Sequence, residues 1–152
     1  MSNFEDDLKL GIRAQEFIVN TLQKELPGLH SIDGNFSSYD LISDSGYTVE
    51  VKFDYLSRRT PNVGIEYLYK GYPSGISKTK ALDWIHIYFL NDKLVYSRIR
   101  STELKAYIKS NQEYLTRVPA GDNKASKLIL INKQDFTDKF GYIEITTPAT
   151  PE

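Results

Sequence analysis

The stretch "SYDLISDSGYTVEVKFDY", residues 38–55, decides how this chain begins its sheet. Apolar and polar side chains alternate along it, and a strand places successive side chains on opposite faces. The pattern predicts two strands, residues 38–43 and 47–54, joined by a short turn into a hairpin. Glu50 and Lys52 then share the polar face of the second strand.

The turn of this hairpin fixes which residues oppose each other. Asp44-Ser45-Gly46 is typical of a three-residue loop, a type I turn followed by a left-handed glycine. Such a loop pairs Ser43 with Tyr47 and brings Asp40 directly opposite Glu50. A two-residue turn would shift the pairing by one and send Asp40 to the other face. We predict the three-residue loop.

Two opposed carboxylates are unfavourable unless something offsets their repulsion. A hard divalent cation does so, since carboxylate oxygens suit Mg²⁺. The alternative is an ordinary surface charge pair with Lys52. The triplet Glu50-Val51-Lys52 does not decide between the two, because similar triplets, such as Glu103-Leu104-Lys105, occur elsewhere in the chain. Both explanations stay open from the residues alone.

The rest of the chain predicts a mixed α/β or α+β fold. A capping box at residues 2–5 opens a helix that ends at Pro27-Gly28. "DWIHIYFL", residues 83–90, is apolar on both faces and is predicted as a central strand. The other predicted elements are a strand at 64–69, a helical turn at 77–82, a strand at 94–100, a helix at 101–112, and short strands near 127–131 and 142–146 around a small helix. We expect a mixed central β-sheet flanked by helices, in one domain spanning residues 1–146, with a disordered tail at 147–152.

Composition is that of an ordinary globular protein. The net charge is −1, so the chain as a whole does not indicate nucleic-acid binding. There is no cysteine, which excludes disulfides and thiolate zinc sites and agrees with a cytoplasmic, intracellular location. The sequence has no apolar run long enough for a membrane span, no Walker loop and no dinucleotide fingerprint. We therefore expect neither a membrane partner nor a nucleotide cofactor.

Two residues of the first predicted helix stand out. Glu16 lies four residues after Ile12 and three before Val19, at the edge of the predicted buried stripe. There it either extends to solvent or points at a positive group near the sheet. Gly11 costs about 1 kcal/mol relative to alanine inside a helix. We expect it to permit close approach of another backbone.

In these residues the chain resembles the PD-(D/E)XK nuclease superfamily: a helix with Gly11 and Glu16, then Asp40, then Glu50-Val51-Lys52 across a hairpin. The likeness covers about residues 5–100 and is nearest to small Holliday-junction resolvases of archaeal and phage type. It implies a restriction-endonuclease-like core with the order helix, hairpin, third strand, helix, strand. Two features depart from the pattern. Tyr39 precedes Asp40 where the family name has proline, and the net charge is near neutral where many such enzymes are basic.

The resemblance implies a Mg²⁺-dependent endodeoxyribonuclease that hydrolyses phosphodiester bonds. Asp40, Glu50 and the backbone carbonyl of Val51 would hold Mg²⁺ or Mn²⁺, and Glu16 would hold a second ion or a water. Such a cation lowers the pKa of water and stabilises charge on the scissile phosphate. Lys52 would orient the attacking water or neutralise the phosphate. The implied partner is DNA, including branched DNA, and a homodimer is expected because resolving a junction takes two cuts.

A basic stretch after the hairpin is predicted to contact DNA phosphates, through side chains or helix N-terminal amides. The residues assigned to this role are Ser77, Lys78, Thr79, Lys80, Arg58 and Arg59. Gly71 and Gly75 would let the loop approach the DNA backbone, and Tyr67 or Tyr72 would stack on an unpaired base. The alternative for this stretch is a turn that caps a helix.

Two other functions compete with the nuclease. One is a DNA-binding module on the same fold with little or no cleavage. The other is a domain without nuclease activity, in which Asp40, Glu50 and Lys52 form a surface charge cluster. The nuclease is the leading hypothesis because every acidic and basic residue of the expected site is present.

Overall fold

A computed structural model describes the backbone of residues 4–31 and 39–146, with the side chains of these residues except 4–8, 39, 40 and 122. The α-helices are α1 (Phe4–Leu22), α2 (Ser101–Ser110) and α3 (Lys133–Phe140). The strands are β1 (His30–Ser31), β2 (Tyr39–Ile42), β3 (Thr48–Phe53), β4 (Asn62–Tyr69), β5 (Tyr72–Pro73), β6 (Asp83–Leu90), β7 (Lys93–Arg100), β8 (Thr116–Ala120), β9 (Ser126–Asn132) and β10 (Ile143–Glu144). None of the helices in the described part of the chain is long and apolar enough to cross a membrane.

Six strands form the central sheet in the order β1-β2-β3-β6-β7-β10. β3 and β6 run parallel and the other neighbours antiparallel, so the sheet is mixed, as predicted. Residues 83–89 of β6 are all buried, because both faces of this middle strand are covered. The turn from β6 into β7 places Asn91 and Asp92 at φ values of 51° and 64°, which a tight two-residue hairpin requires.

Helix α1 covers one face of this sheet. Its buried side chains join those of β2, β3, β6 and β7 in one hydrophobic cluster, which includes Ala14, Ile18, Leu22, Leu41, Val49, Val51, Ile85, Ile87 and Tyr96. Gly11 lies where α1 crosses β3, and a Cβ at this position would come within 2.8 Å of the Phe53 ring. Gly11 is therefore in a close contact, but its neighbour is the Phe53 side chain and not another backbone segment, as had been expected.

The opposite face of the central sheet packs against a second sheet, in which four antiparallel strands run in the order β5-β4-β9-β8. The second core cluster joins both sheets to α2 and α3, and includes Val63, Ile65, Trp84, Tyr88, Ile99, Leu104, Ile129 and Phe136. Side chains of β6 therefore alternate between the two cores. The fold is α+β, with a mixed central sheet flanked by helices.

Three parts of the prediction differ from the structure. The strand expected at 64–69 exists as β4, but it pairs with β9 in the second sheet instead of joining the central sheet. The stretch expected to lead into a core helix forms only the 3₁₀ helix Gly75–Ser77, because Gly71 and Gly75, at φ of 81° and 50°, interrupt the chain on either side of Pro73. Strand β8 is absent from the prediction because its sequence, TRVPA, contains a proline and no clear alternation. The helix expected between the third strand and β6 is thus absent from the described residues, and the restriction-endonuclease-like core stays a prediction. The capping box at residues 2–5, apart from its last two positions, and the tail at 147–152 lie outside the described residues.

Candidate active site

The hairpin β2–β3 has the predicted turn. The Ser43 N–H donates to the Tyr47 carbonyl at 2.9 Å, and the Gly46 N–H donates to the Ser43 carbonyl at 2.9 Å. Gly46 has a φ of 91°, which a three-residue loop requires of its last residue. The strand register pairs Asp40 with Glu50, so the predicted register is confirmed. The side chain of Asp40 lies outside the described residues.

Glu50 is almost completely buried, with 6% of its surface exposed. Its carboxylate accepts a hydrogen bond from Thr79 Oγ1 at 2.8 Å and forms an ion pair with Lys52 Nζ at 3.2 Å. The Lys52 side chain is itself only 19% exposed. The pair is therefore not the surface charge pair that the polar pattern of β3 suggested, because the loop before β6 covers this end of the strand. Burying a carboxylate is expensive unless it is paired and hydrogen-bonded, and both conditions are met here.

The position of the Thr79 proton follows from its two hydrogen bonds. The Ala81 N–H donates to Thr79 Oγ1 at 3.2 Å, so the hydroxyl proton is free to point at Glu50. The Lys105 ammonium of α2 donates to the Thr79 carbonyl at 3.3 Å. Thr79 thus connects the loop to both β3 and α2. Its hydroxyl has a protein partner, whereas the neighbouring Ser77, Lys78 and Lys80 are exposed, and their phosphate contacts stay predictions.

Gly75 explains how this loop reaches β3. It has a φ of 50°, and a Cβ there would lie 2.1 Å from the Glu66 carbonyl oxygen of β4. The Ser74 N–H also donates to the Tyr67 carbonyl at 3.1 Å. The loop therefore folds back along β4 and is directed from there towards Glu50. Gly75 thus lets the loop approach the backbone of β4. The sequence prediction had instead expected it to let the loop approach the DNA backbone.

A series of buried hydrogen bonds links Trp84, His86 and Asp54 beside the charged face of β3. Trp84 Nε1 can only donate, so its 3.2 Å contact makes His86 Nδ1 the acceptor. The proton of the neutral imidazole is then on Nε2, which donates to Asp54 Oδ2 at 2.9 Å. Asp54 also accepts from the backbone N–H groups of Gly64 and Ser57, at 2.7 and 3.2 Å. His86, which is 1% exposed, is a core histidine, as the sequence indicates.

Asp54 belongs to the polar cluster beside Lys52, although the sequence prediction did not assign it to the candidate site. It follows Glu50 and Lys52 at the same two-residue spacing, so the alternation of β3 already places the three side chains on one face. Its hydrogen bonds fix the start of the 3₁₀ helix Tyr55–Arg59 and tie it to β4. The end of β3 is thereby held rigidly beside Lys52.

A cleft of about 170 Å³ opens between the end of β3 and the face of the second sheet that carries Gly64, Glu66 and Leu128. Its lining includes Lys52, Asp54, Tyr55, Glu66, Trp84 and Leu128. Arg58 and Arg59 lie in the 3₁₀ helix beside it and are exposed. The Arg58 guanidinium lies over the Phe89 ring, 4.4 Å from its centroid, so its charge is held close to the sheet.

Glu16 of α1 points away from the hairpin site. It is exposed, while Ala14, Gln15 and Ile18 on the same helix are at most 5% exposed. Of the two alternatives left open by the sequence, the structure shows the one in which Glu16 extends to solvent, next to the partly buried Ile12 and Val19. Moreover, α1 packs on the Val49 side of β3, whereas Glu50 points to the opposite side. The structure therefore does not bring Glu16 into contact with Glu50.

The donors at the hairpin are of the type that a hard cation prefers. Carboxylate oxygens suit Mg²⁺, which needs few protein ligands, and the register supplies two carboxylate residues at adjacent positions, Asp40 and Glu50. Among the side chains that the structure describes, no three Asp, Glu or His groups lie together as a metal site. Asp40 is not among those side chains.

Comparison of the chain with protein-family models, with curated proteins and with solved structures gives no match. The likeness to PD-(D/E)XK nucleases accordingly depends on the residues and the strand register described above.

Proposed function

We propose that this protein is a metal-dependent DNA endonuclease. The observation that carries the proposal is the placement of Glu50: it is 6% exposed, paired with Lys52 two residues on, and opposite Asp40 in the strand register. A buried carboxylate and ammonium beside a second carboxylate are costly for stability alone. Arrangements of this kind are typical of sites that hold a cation and stabilise charge on a phosphate.

The residues present fit a hard divalent cation. Asp40, Glu50 and the backbone carbonyl of Val51 would hold Mg²⁺ or Mn²⁺, because all three offer oxygen ligands. When bound, the cation would supply Lewis-acid stabilisation of the phosphate and a more acidic water. Lys52 would neutralise charge on the non-bridging phosphate oxygens or orient the attacking water. Thr79 would hold the Glu50 carboxylate in one orientation through its hydrogen bond.

The DNA backbone would be held by exposed cations near this site. Lys78 and Lys80 flank Thr79 along the chain, Lys105 is linked to the Thr79 carbonyl, and Arg59 lies beside the cleft on the other side. Phosphate contacts of this kind give affinity without base specificity. Branched DNA as substrate, and a homodimer that makes two cuts, are the finer form of the proposal.

The test uses supercoiled plasmid and a synthetic four-way junction, each with Mg²⁺, Mn²⁺ or EDTA. We expect metal-dependent nicking by the parent protein and a rate lower by about 100-fold or more for Glu50→Gln and Lys52→Met. Glu50→Gln keeps an oxygen that can accept the Thr79 hydrogen bond, and a thermal melt of each variant checks that the fold survives the loss of the ion pair. Glu103→Gln is the matched control, since Glu103 belongs to another Glu-x-Lys triplet and is exposed on α2.

Three outcomes would contradict the assignment in different ways. If the parent protein nicks neither DNA with any of the metal ions, the proposed endonuclease activity is wrong. If Glu50→Gln nicks at the parent rate, Glu50 has no part in catalysis. Cleavage that persists in EDTA would show that the reaction does not require a metal ion. Glu16→Gln belongs in the same series: a reduced rate would support a part for this exposed carboxylate, and an unchanged rate would limit the site to the hairpin.

A DNA-binding module with little or no cleavage is the second candidate. It is favoured by the fact that both oxygens of Glu50 already have protein partners, Thr79 and Lys52, which compete with a cation. This candidate predicts a gel shift with the four-way junction and no nicking in Mg²⁺ or Mn²⁺. A domain in which the charges are only structural predicts neither result.

A further inference from the structure

The cleft next to Lys52 has the chemistry of a pocket for one unpaired nucleobase. Its lining includes Lys52 and the side chains of Tyr55 and Leu56, which are 42% and 43% exposed. A cavity of about 150 Å³ holds one benzene ring, so a volume of about 170 Å³ matches a single six-membered ring. Its size therefore suits one planar ring system.

The cleft combines an apolar surface with an aromatic ring. Gly64 of β4 lies against Leu128, since a Cβ on Gly64 would come within 2.8 Å of the Leu128 side chain. Tyr55, which also lines the cleft, is supported by the Phe53 ring at a centroid distance of 6.3 Å. Aromatic rings of this kind are the platforms on which bases of single-stranded nucleic acids stack.

Glu66 gives the cleft a hydrogen-bond acceptor. Its side chain lines the cleft, and within the described part of the chain no hydrogen bond or ion pair engages its carboxylate. A carboxylate accepts hydrogen bonds from the exocyclic amino groups of bases, such as N4 of cytosine. It also repels phosphate. A base rather than the DNA backbone would therefore enter the cleft, and Lys52 would lie towards the scissile phosphate.

We infer that this cleft binds one unpaired base adjacent to the scissile phosphate, with Tyr55 stacking on it and Glu66 selecting bases that carry an exocyclic amino group. The inference rests on the proposed function, because it places the base next to Lys52. It also assigns base stacking to Tyr55, whereas the sequence had suggested Tyr67 or Tyr72. Tyr67 is partly buried, with the Arg117 guanidinium 5.6 Å from its ring centroid, and Tyr72 does not line the cleft.

The test uses a duplex with one bulged 2-aminopurine and the same duplex with that base paired, in Ca²⁺ to suppress cleavage. We expect the parent protein to bind the bulged duplex more tightly and to change the fluorescence of the unpaired base. Tyr55→Ala should reduce affinity for the bulged duplex by about 5- to 100-fold, the effect of removing one base–aromatic stack, while Tyr55→Phe should retain it. Tyr114→Ala is the matched control, because Tyr114 is 81% exposed and lies outside the cleft.

Base selection is measured with bulged cytosine and bulged thymine. The parent should prefer cytosine by about 5- to 100-fold, and Glu66→Gln should lose this preference because its amide can donate as well as accept. Equal binding of bulged and paired duplex by the parent, or equal losses for Tyr55→Ala and Tyr114→Ala, would overturn the base pocket. Cleavage in Mg²⁺ is measured separately. Preference for the bulged duplex without cleavage would contradict only the nuclease assignment. Cleavage without that preference would contradict only the base pocket, and a protein that binds no DNA would contradict both.

Discussion

Replacing Thr79 with valine should weaken the fold as well as the site, although the two side chains have the same shape. The substitution removes the hydroxyl that donates to Glu50 at 2.8 Å and accepts from the Ala81 N–H at 3.2 Å. A hydrogen bond to a charged group contributes about 1.5–3 kcal/mol and one between neutral groups about 0.5–1.5 kcal/mol. We therefore expect Thr79→Val to lower the free energy of unfolding by about 2–4 kcal/mol.

Urea denaturation followed by tryptophan fluorescence measures this loss, because Trp84 is the one tryptophan of the chain and is fully buried. With a typical slope for a protein of this size, the midpoint should fall by about 1–2 M urea. Thr79→Ser keeps the hydroxyl and should stay near the parent. Thr137→Val is the control, since the Thr137 hydroxyl bonds only to the Gln134 carbonyl on an exposed helix, and we expect a change within about 0.5 kcal/mol.

A double-mutant cycle with Glu50→Met, which removes the acceptor of this hydrogen bond, tests whether the loss arises from this contact. We expect a coupling free energy of about 1 kcal/mol or more between Thr79 and Glu50, as for other residues in direct contact. Two results would refute the reasoning: Thr79→Val within about 0.5 kcal/mol of the parent, or effects of the two substitutions that simply add.

Two further predictions concern other parts of the fold. Gly75→Ala should destabilise the fold strongly, because its Cβ would lie 2.1 Å from the Glu66 carbonyl oxygen. Gly71 also has a positive φ but no atom within 4 Å of its Cβ position, so Gly71→Ala should cost only about 1 kcal/mol. Similar urea midpoints for the two variants would contradict this prediction. Burial raises the pKa of Tyr88 from 10.0 to about 12, against the lowering effect of its hydrogen bond with Ser97. The folded state then holds this proton more tightly than the unfolded state, so the contribution is complete below pH 10 and is lost as pH rises towards 12. Between pH 9 and 11.5 the parent should lose about 2 kcal/mol more stability than Tyr88→Phe, and parallel pH profiles would show that Tyr88 is not responsible.

The local parts of the fold are readable from sequence because short-range rules determine them. Asp44-Ser45-Gly46 specifies the loop and hence the pairing of Asp40 with Glu50, and the apolar run of β6 specifies a strand covered on both faces. The second sheet is not readable in this way. Its main pairing joins β4 to β9 across most of the chain's second half, and no local pattern encodes which distant strand is the partner.

The same limit explains the errors at the site. The polar face of β3 indicates solvent, yet Thr79, 29 residues away along the chain, covers Glu50. On α1, the predicted stripe correctly included Leu22, but it also included Ile12 and Val19, which are only partly buried, and it omitted the buried Ala14 and Gln15. Small and polar residues are easily overlooked in a hydrophobic pattern, although they allow the closest packing.

The parallel pairing of β3 with β6 has a consequence for the order of folding. The hairpin β6–β7 closes through a two-residue turn, and such hairpins form in about 1–10 μs. Joining β3 to β6 must instead wait until the long segment containing β4 and β5 is arranged between them, and non-local strand pairing of this kind is slow. We therefore expect the contacts of Glu50 with Thr79 and of β3 with β6 to form after the folding transition state. Substitutions there should then accelerate unfolding and leave the refolding rate nearly unchanged.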